Sequence, residues 1–83
     1  MATRLHPHAR QRLAERGATE AEVLATVPHG GSFPAKLGRT GFRRNFAFGA
    51  KWQGKYYANK QVIAYAVRER RGWLVITVIT KFF

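Results

Sequence analysis

The sequence predicts an α+β fold in which two N-terminal helices are followed by a twisted antiparallel sheet of about four strands. Three observations carry that expectation. Proline and glycine bracket a helical pattern between residues 7 and 17, and a capping box opens a second one at Thr19. From Phe42 onward, runs of β-branched and aromatic residues alternate with glycine-containing breaks. Eighty-three residues suffice for a single domain, residues 1–83, with one modest core.

The first helix opens at His6-Pro7, with His6 as its cap residue and proline where no backbone donor is needed. It runs through His8, Arg12 and Arg16 to Gly17, the usual C-terminal glycine. Thr19 followed by Glu22 caps a second helix that buries Val23, Leu24 and Val27 and is expected to end before Pro28. Residues 28–41, rich in glycine and proline, read as a loop that contains His29. Strands are expected at about Phe42–Phe48, Lys55–Ala58, Gln61–Arg68 and Trp73–Phe82. Arg70-Arg71-Gly72 reads as the turn between the last two. Leu74, Ile76 and Val78 should share the face that packs on the helices.

Charge is distributed unevenly along these elements. Residues 1–35 hold four basic and three acidic side chains; residues 36–83 hold eleven basic side chains against Glu69 alone. Such a surface repels itself and opposes compaction, and a polyanion that releases counterions on binding is the simplest reason to keep it. Phe42, Phe46, Phe48, Trp52, Tyr56, Tyr57, Tyr65 and Trp73 are interleaved with the cations. Cations on phosphates and rings on bases together suit nucleic acid; the competing reading is a basic domain whose rings are core.

Absences narrow the chemistry. Without cysteine there is no disulfide, thiolate metal site or cysteine nucleophile. No stretch has the length of a signal peptide or a membrane span, so a cytoplasmic location and no membrane partner are expected. Four carboxylates and three scattered histidines provide no metal-ligand spacing, so neither metal nor other cofactor is expected. Phosphodiester cleavage would then rely on the 2′-hydroxyl of RNA, with the protein shifting protons and stabilising a phosphorane.

The first helix is where such chemistry would sit. Leu5, Ala9 and Leu13 form its apolar stripe, and His8, Arg12 and Arg16 repeat the same spacing one position earlier. They therefore lie about 100° around the axis, along the rim of the buried face. A shared anion would relieve the mutual repulsion of the arginines. A solvated cationic edge, with Glu15 paired to Arg12, is the bland alternative.

His8-Ala9, Arg12, Arg16-Gly17, Thr19 and Glu22 resemble the opening of a widespread bacterial and archaeal family labelled a domain of unknown function. Tyr57, Asn59, Lys60, Val62 and Tyr65, then Val75-Ile76-Thr77-Val78-Ile79, resemble its last two strands. That family is grouped with RelE-like and colicin D-like toxins in the superfold of barnase-type ribonucleases. The resemblance implies a sheet that binds RNA, metal-independent cleavage, and an acidic antitoxin or immunity partner. It implies His8, Lys60 and Thr80 as the catalytic set: His8 and Lys60 would handle protons, and Thr80 would meet a phosphate or base. Arg12, Arg16, Arg43, Arg44, Lys55 and Lys81 would bind phosphates. The final strand departs from many relatives, which have Val-Tyr where Ile79-Thr80-Lys81-Phe82-Phe83 continues here.

The expected function is accordingly that of an endoribonuclease toxin acting by 2′-hydroxyl attack. A non-catalytic RNA- or ribosome-binding module is the first alternative, and a basic protein that binds an acidic partner the second.

Overall fold

A computed structural model of the chain describes residues 2–83. Its elements are β1 (Ala2–Leu5), α1 (Pro7–Arg16), α2 (Glu20–His29), β2 (Gly31–Pro34), β3 (Thr40–Trp52), β4 (Lys55–Glu69) and β5 (Gly72–Phe82). One turn of 3₁₀ helix, Lys36–Gly38, lies between β2 and β3. The architecture is α+β, with a five-stranded mixed sheet ordered β1-β5-β4-β3-β2. All neighbours are antiparallel except β1, which runs parallel to β5. The expectation of four strands, all after the helices, is thereby corrected at both ends of the sheet.

Both helices begin as their sequences require. Pro7 occupies the first turn of α1, and the His8 backbone N–H donates to His6 Nδ1 (3.1 Å). Gly17 ends α1 at φ 70°, where a Cβ would also lie 2.8 Å from the Phe82 ring. The Thr19 capping box is complete: Thr19 Oγ1 accepts from the Glu22 N–H, and the Thr19 N–H donates to Glu22 Oε1. Contrary to expectation, α2 continues through Pro28, and His29 is helical rather than in a loop. Proline removes one hydrogen bond there but lies in the last turn, and Leu24, expected to be buried, is exposed. The buried Val27 and the Gly30 N–H bonded to the Thr26 carbonyl (2.8 Å) hold that turn closed.

The expected loop 28–41 contains β2, and the expected break between strands at residues 49–54 is instead a long hairpin. Gln53 and Gly54, both at positive φ, make its two-residue turn, and Trp52 pairs with Lys55. Fifteen residues of β4 would span about 45–50 Å if flat, yet the molecule is 41 Å in its longest dimension. The sheet therefore coils. The coil brings Trp52 from the hairpin tip onto Phe82, stacked at 5.2 Å, and both rings reach Gly17.

The core lies between the helices and one face of the sheet. Leu5, Leu13, Val23, Val27, Phe42, Val62, Ala64, Ala66, Val75 and Val78 are buried there, with Phe46 and Trp73 packed against them. The expected inward set Leu74, Ile76 and Val78 is corrected to Val75 and Val78. The β4–β5 register slips between Tyr65 and Ala66, leaving Ile76 as an extra residue that resets the alternation.

Candidate nucleic-acid interface

The α1 spacing survives folding intact. Ala9 and Leu13 are buried beneath the helix, and His8, Arg12 and Arg16 follow one another along its rim. At 1.5 Å per residue the row is about 12 Å long, enough for more than one phosphate. It faces β5, where His8, Ala9, Arg12, Arg16, Ile76, Thr77 and Val78 enclose a notch of about 190 Å³. β1 pairs with β5 only as far as Val75, so α1 rather than a strand borders the next residues. The exposed imidazole of His8 lies at the positive end of the helix dipole, a setting that favours an anion.

Lys60 and Thr80 are placed elsewhere. Lys60 Nζ donates to the Gly17 carbonyl and to Glu22 Oε1, each at 2.9 Å, and lies 2.8 Å from Glu22 Oε2. Its side chain is 7% exposed, and its ammonium stands 5.1 Å from the Phe48 ring. The Thr80 hydroxyl donates to the Arg16 carbonyl. Both side chains thus satisfy the C-terminal carbonyls of α1, about 12 Å along the axis from His8. The structure does not bring His8, Lys60 and Thr80 together, and what Lys60 does observably is tie α1, α2 and β4 to one another.

The remaining sequence-predicted phosphate ligands also divide. Arg12 and Arg16 line the notch. Arg43 and Lys81 are exposed and alternate with Phe42 and Phe82, which places them on the sheet face opposite the helices. Arg44 shares the side of Phe42 and lies 5.2 Å from the Phe46 ring. Lys55 is at the hairpin tip, 5.6 Å from the Tyr57 ring.

Every carboxylate side chain is engaged within the molecule. Arg4 pairs with Glu69 (2.8 Å), Arg10 with Glu20 (2.7 Å), Lys60 with Glu22, and Arg12 loosely with Glu15 (3.8 Å). Among the described residues the other basic side chains have no carboxylate partner, so the positive field of the sheet half is uncompensated. No three His, Asp or Glu side chains converge among the described residues.

One residue of the notch was missed from sequence. Thr77 is a lone hydroxyl inside Leu74-Val75-Ile76-Thr77-Val78-Ile79, and that interruption of an apolar strand was the available signal. No helix of the described residues is long and apolar enough to cross a membrane. No family model matches the chain, and no curated protein or solved structure matches it either.

Proposed function

We propose that the protein is an RNA-binding domain of the RelE/colicin-like endoribonuclease type, with the α1–β5 notch as its phosphate site. The observation that supports this reading most is that one histidine and two arginines of α1, His8, Arg12 and Arg16, line a single small cavity against β5. Arg12 and Arg16 would hold the non-bridging oxygens of the scissile phosphate. His8 would take the proton of the 2′-hydroxyl as the O2′–P bond forms. The P–O5′ bond then breaks, leaving a 2′,3′-cyclic phosphate, and the departing 5′-oxygen takes a proton from water. Charge developing on the phosphorane would be met by guanidinium groups already in place. An acidic antitoxin or immunity protein would occupy the same cations.

A second reading, the non-catalytic RNA- or ribosome-binding module, draws support from the engagement of Lys60 and Thr80, which leaves His8 as the single proton-transfer group in the notch. Incubation of purified protein with tRNA and mRNA in EDTA separates the two. Cleavage with cyclic-phosphate ends supports the enzyme, and His8→Ala should then keep RNA binding while losing about 10²–10⁴-fold in rate. Bound but intact RNA leaves the binding module.

A further inference from the structure

On the sheet face away from the helices, four residues stand in one row across four strands. Phe33 pairs with Gly41, Gly41 with Tyr65, and Tyr65 with Thr77. Gly41 provides the space that Phe33 fills, because a Cβ there would lie 2.2 Å from Phe33 Cζ. The Phe33 ring therefore lies over β3 and meets Tyr65 edge-on, with centroids 6.0 Å apart and planes at 86°. The Arg43 guanidinium stands 5.0 Å from the same ring. Beside this pair a cavity of about 390 Å³ is walled by Phe33, Pro34, Lys36, Arg39, Tyr65 and Thr77.

Two features say what the cavity suits. Its walls combine aromatic rings with two cations, Lys36 and Arg39, that have no carboxylate partner among the described residues. Thr77 is at once a wall of this cavity and of the phosphate notch on α1. A ligand that continues from one into the other is therefore anionic in the notch and flat and apolar next to it. An unpaired nucleotide has that form, whereas a base inside a duplex stays stacked and cannot enter. The volume falls within the range of small-ligand sites.

We propose that this cavity takes one unpaired nucleobase of an RNA strand whose neighbouring phosphate lies in the His8–Arg12–Arg16–Thr77 notch. The proposal rests on the RNA reading above and adds to it a base subsite built from Phe33 and Tyr65. Lys36 and Arg39 meet the backbone on the far side of that base, so the strand crosses the β5 edge of the sheet at Thr77.

The test is an abasic scan. A short single-stranded RNA is titrated against the protein in EDTA by fluorescence anisotropy, and each position in turn is replaced by a base-free sugar. One position should cost about 5- to 100-fold in affinity, the range for losing one stacked base, while the others change little. Phe33→Leu, which removes the ring and keeps apolar volume, should weaken the intact RNA and abolish the penalty at that position. Its salt dependence should match wild type, whereas Arg12→Ala should lower the salt slope by about one. Losses spread evenly over all positions overturn the base subsite, as does a Phe33→Leu protein that binds like wild type with the penalty unchanged. In either case weakened binding by Arg12→Ala leaves the RNA reading standing. A wild-type protein that binds no RNA overturns both. Should Phe33→Leu fail to fold, the scan on wild type together with Tyr65→Leu decides.

Discussion

Single side chains show where sequence pattern and structure part company. Lys60 reads as a chemical group from its neighbours in sequence, but in the fold it is a buried cation with the Gly17 carbonyl and both Glu22 oxygens around it. Removing one partner of such a pair typically costs about 3–5 kcal/mol, because the other charge stays buried. For a domain of this size each kcal/mol shifts the melting temperature by about 4–8 °C. Lys60→Ala should therefore lower it by more than about 10 °C by circular dichroism, and an unchanged midpoint would contradict the structural role. Glu69 is a gentler case. Its hydrogen bonds from Arg4 hold its carboxyl below the ordinary range, and the pair spans β5 to link β1 with β4. A carboxylate depressed in the folded state contributes stability that is present above its unfolded pKa and lost as pH falls through the folded one. The contribution is small because the pair is solvent-exposed. In acid titrations at low salt, Glu69→Gln should lose slightly less stability than wild type as pH falls below the ordinary glutamate range, because only the wild type has this depressed carboxylate to protonate.

At the scale of elements, α1 and the start of α2 were legible because caps and apolar spacing act within a few residues. His6, Pro7, Gly17, Thr19 and Glu22 all perform the roles their order implies. The two short strands were not legible. Ala2–Leu5 and Gly31–Pro34 carry no alternation of their own, and each forms because a longer strand offers it an edge. Gly72 shows how closely β1 docks: a Cβ at that position would lie 1.7 Å from the Ala2 carbonyl oxygen. Gly72→Ala should therefore detach β1 at a cost of about 1–3 kcal/mol. Hydrogen exchange would report it at the His6 amide, which donates to the Val75 carbonyl at 2.8 Å. Protection there equal to wild type would show that β1 can shift without detaching. The same local slip explains the inward set of β5, since one extra residue at Ile76 changes which side every later side chain faces.

Over the whole molecule, the internal ion pairs use up the acidic side chains and leave the sheet half strongly positive. Binding to RNA should then be dominated by phosphates. If six or more are neutralised, affinity falls by roughly 10³-fold or more between 50 and 200 mM salt. Affinity that stays level over that range would remove the charge argument for RNA. Cations sit both in the α1 notch and on the open sheet face, with Thr77 between, so single arginine substitutions should each lower the salt slope by about one rather than abolish binding.

The sequence by itself determined the fold class, both helix starts, the row of His8, Arg12 and Arg16, and the imbalance of charge, because each rests on composition or on spacing within one element. Only the tertiary structure decided that Lys60 and Thr80 face the end of α1, that Thr77 lies between the notch and the cavity on the open sheet face, and that Phe33 and Tyr65 share a row. Those placements depend on strand register and on the coil of the sheet. A single bulge, invisible in local spacing, changes both.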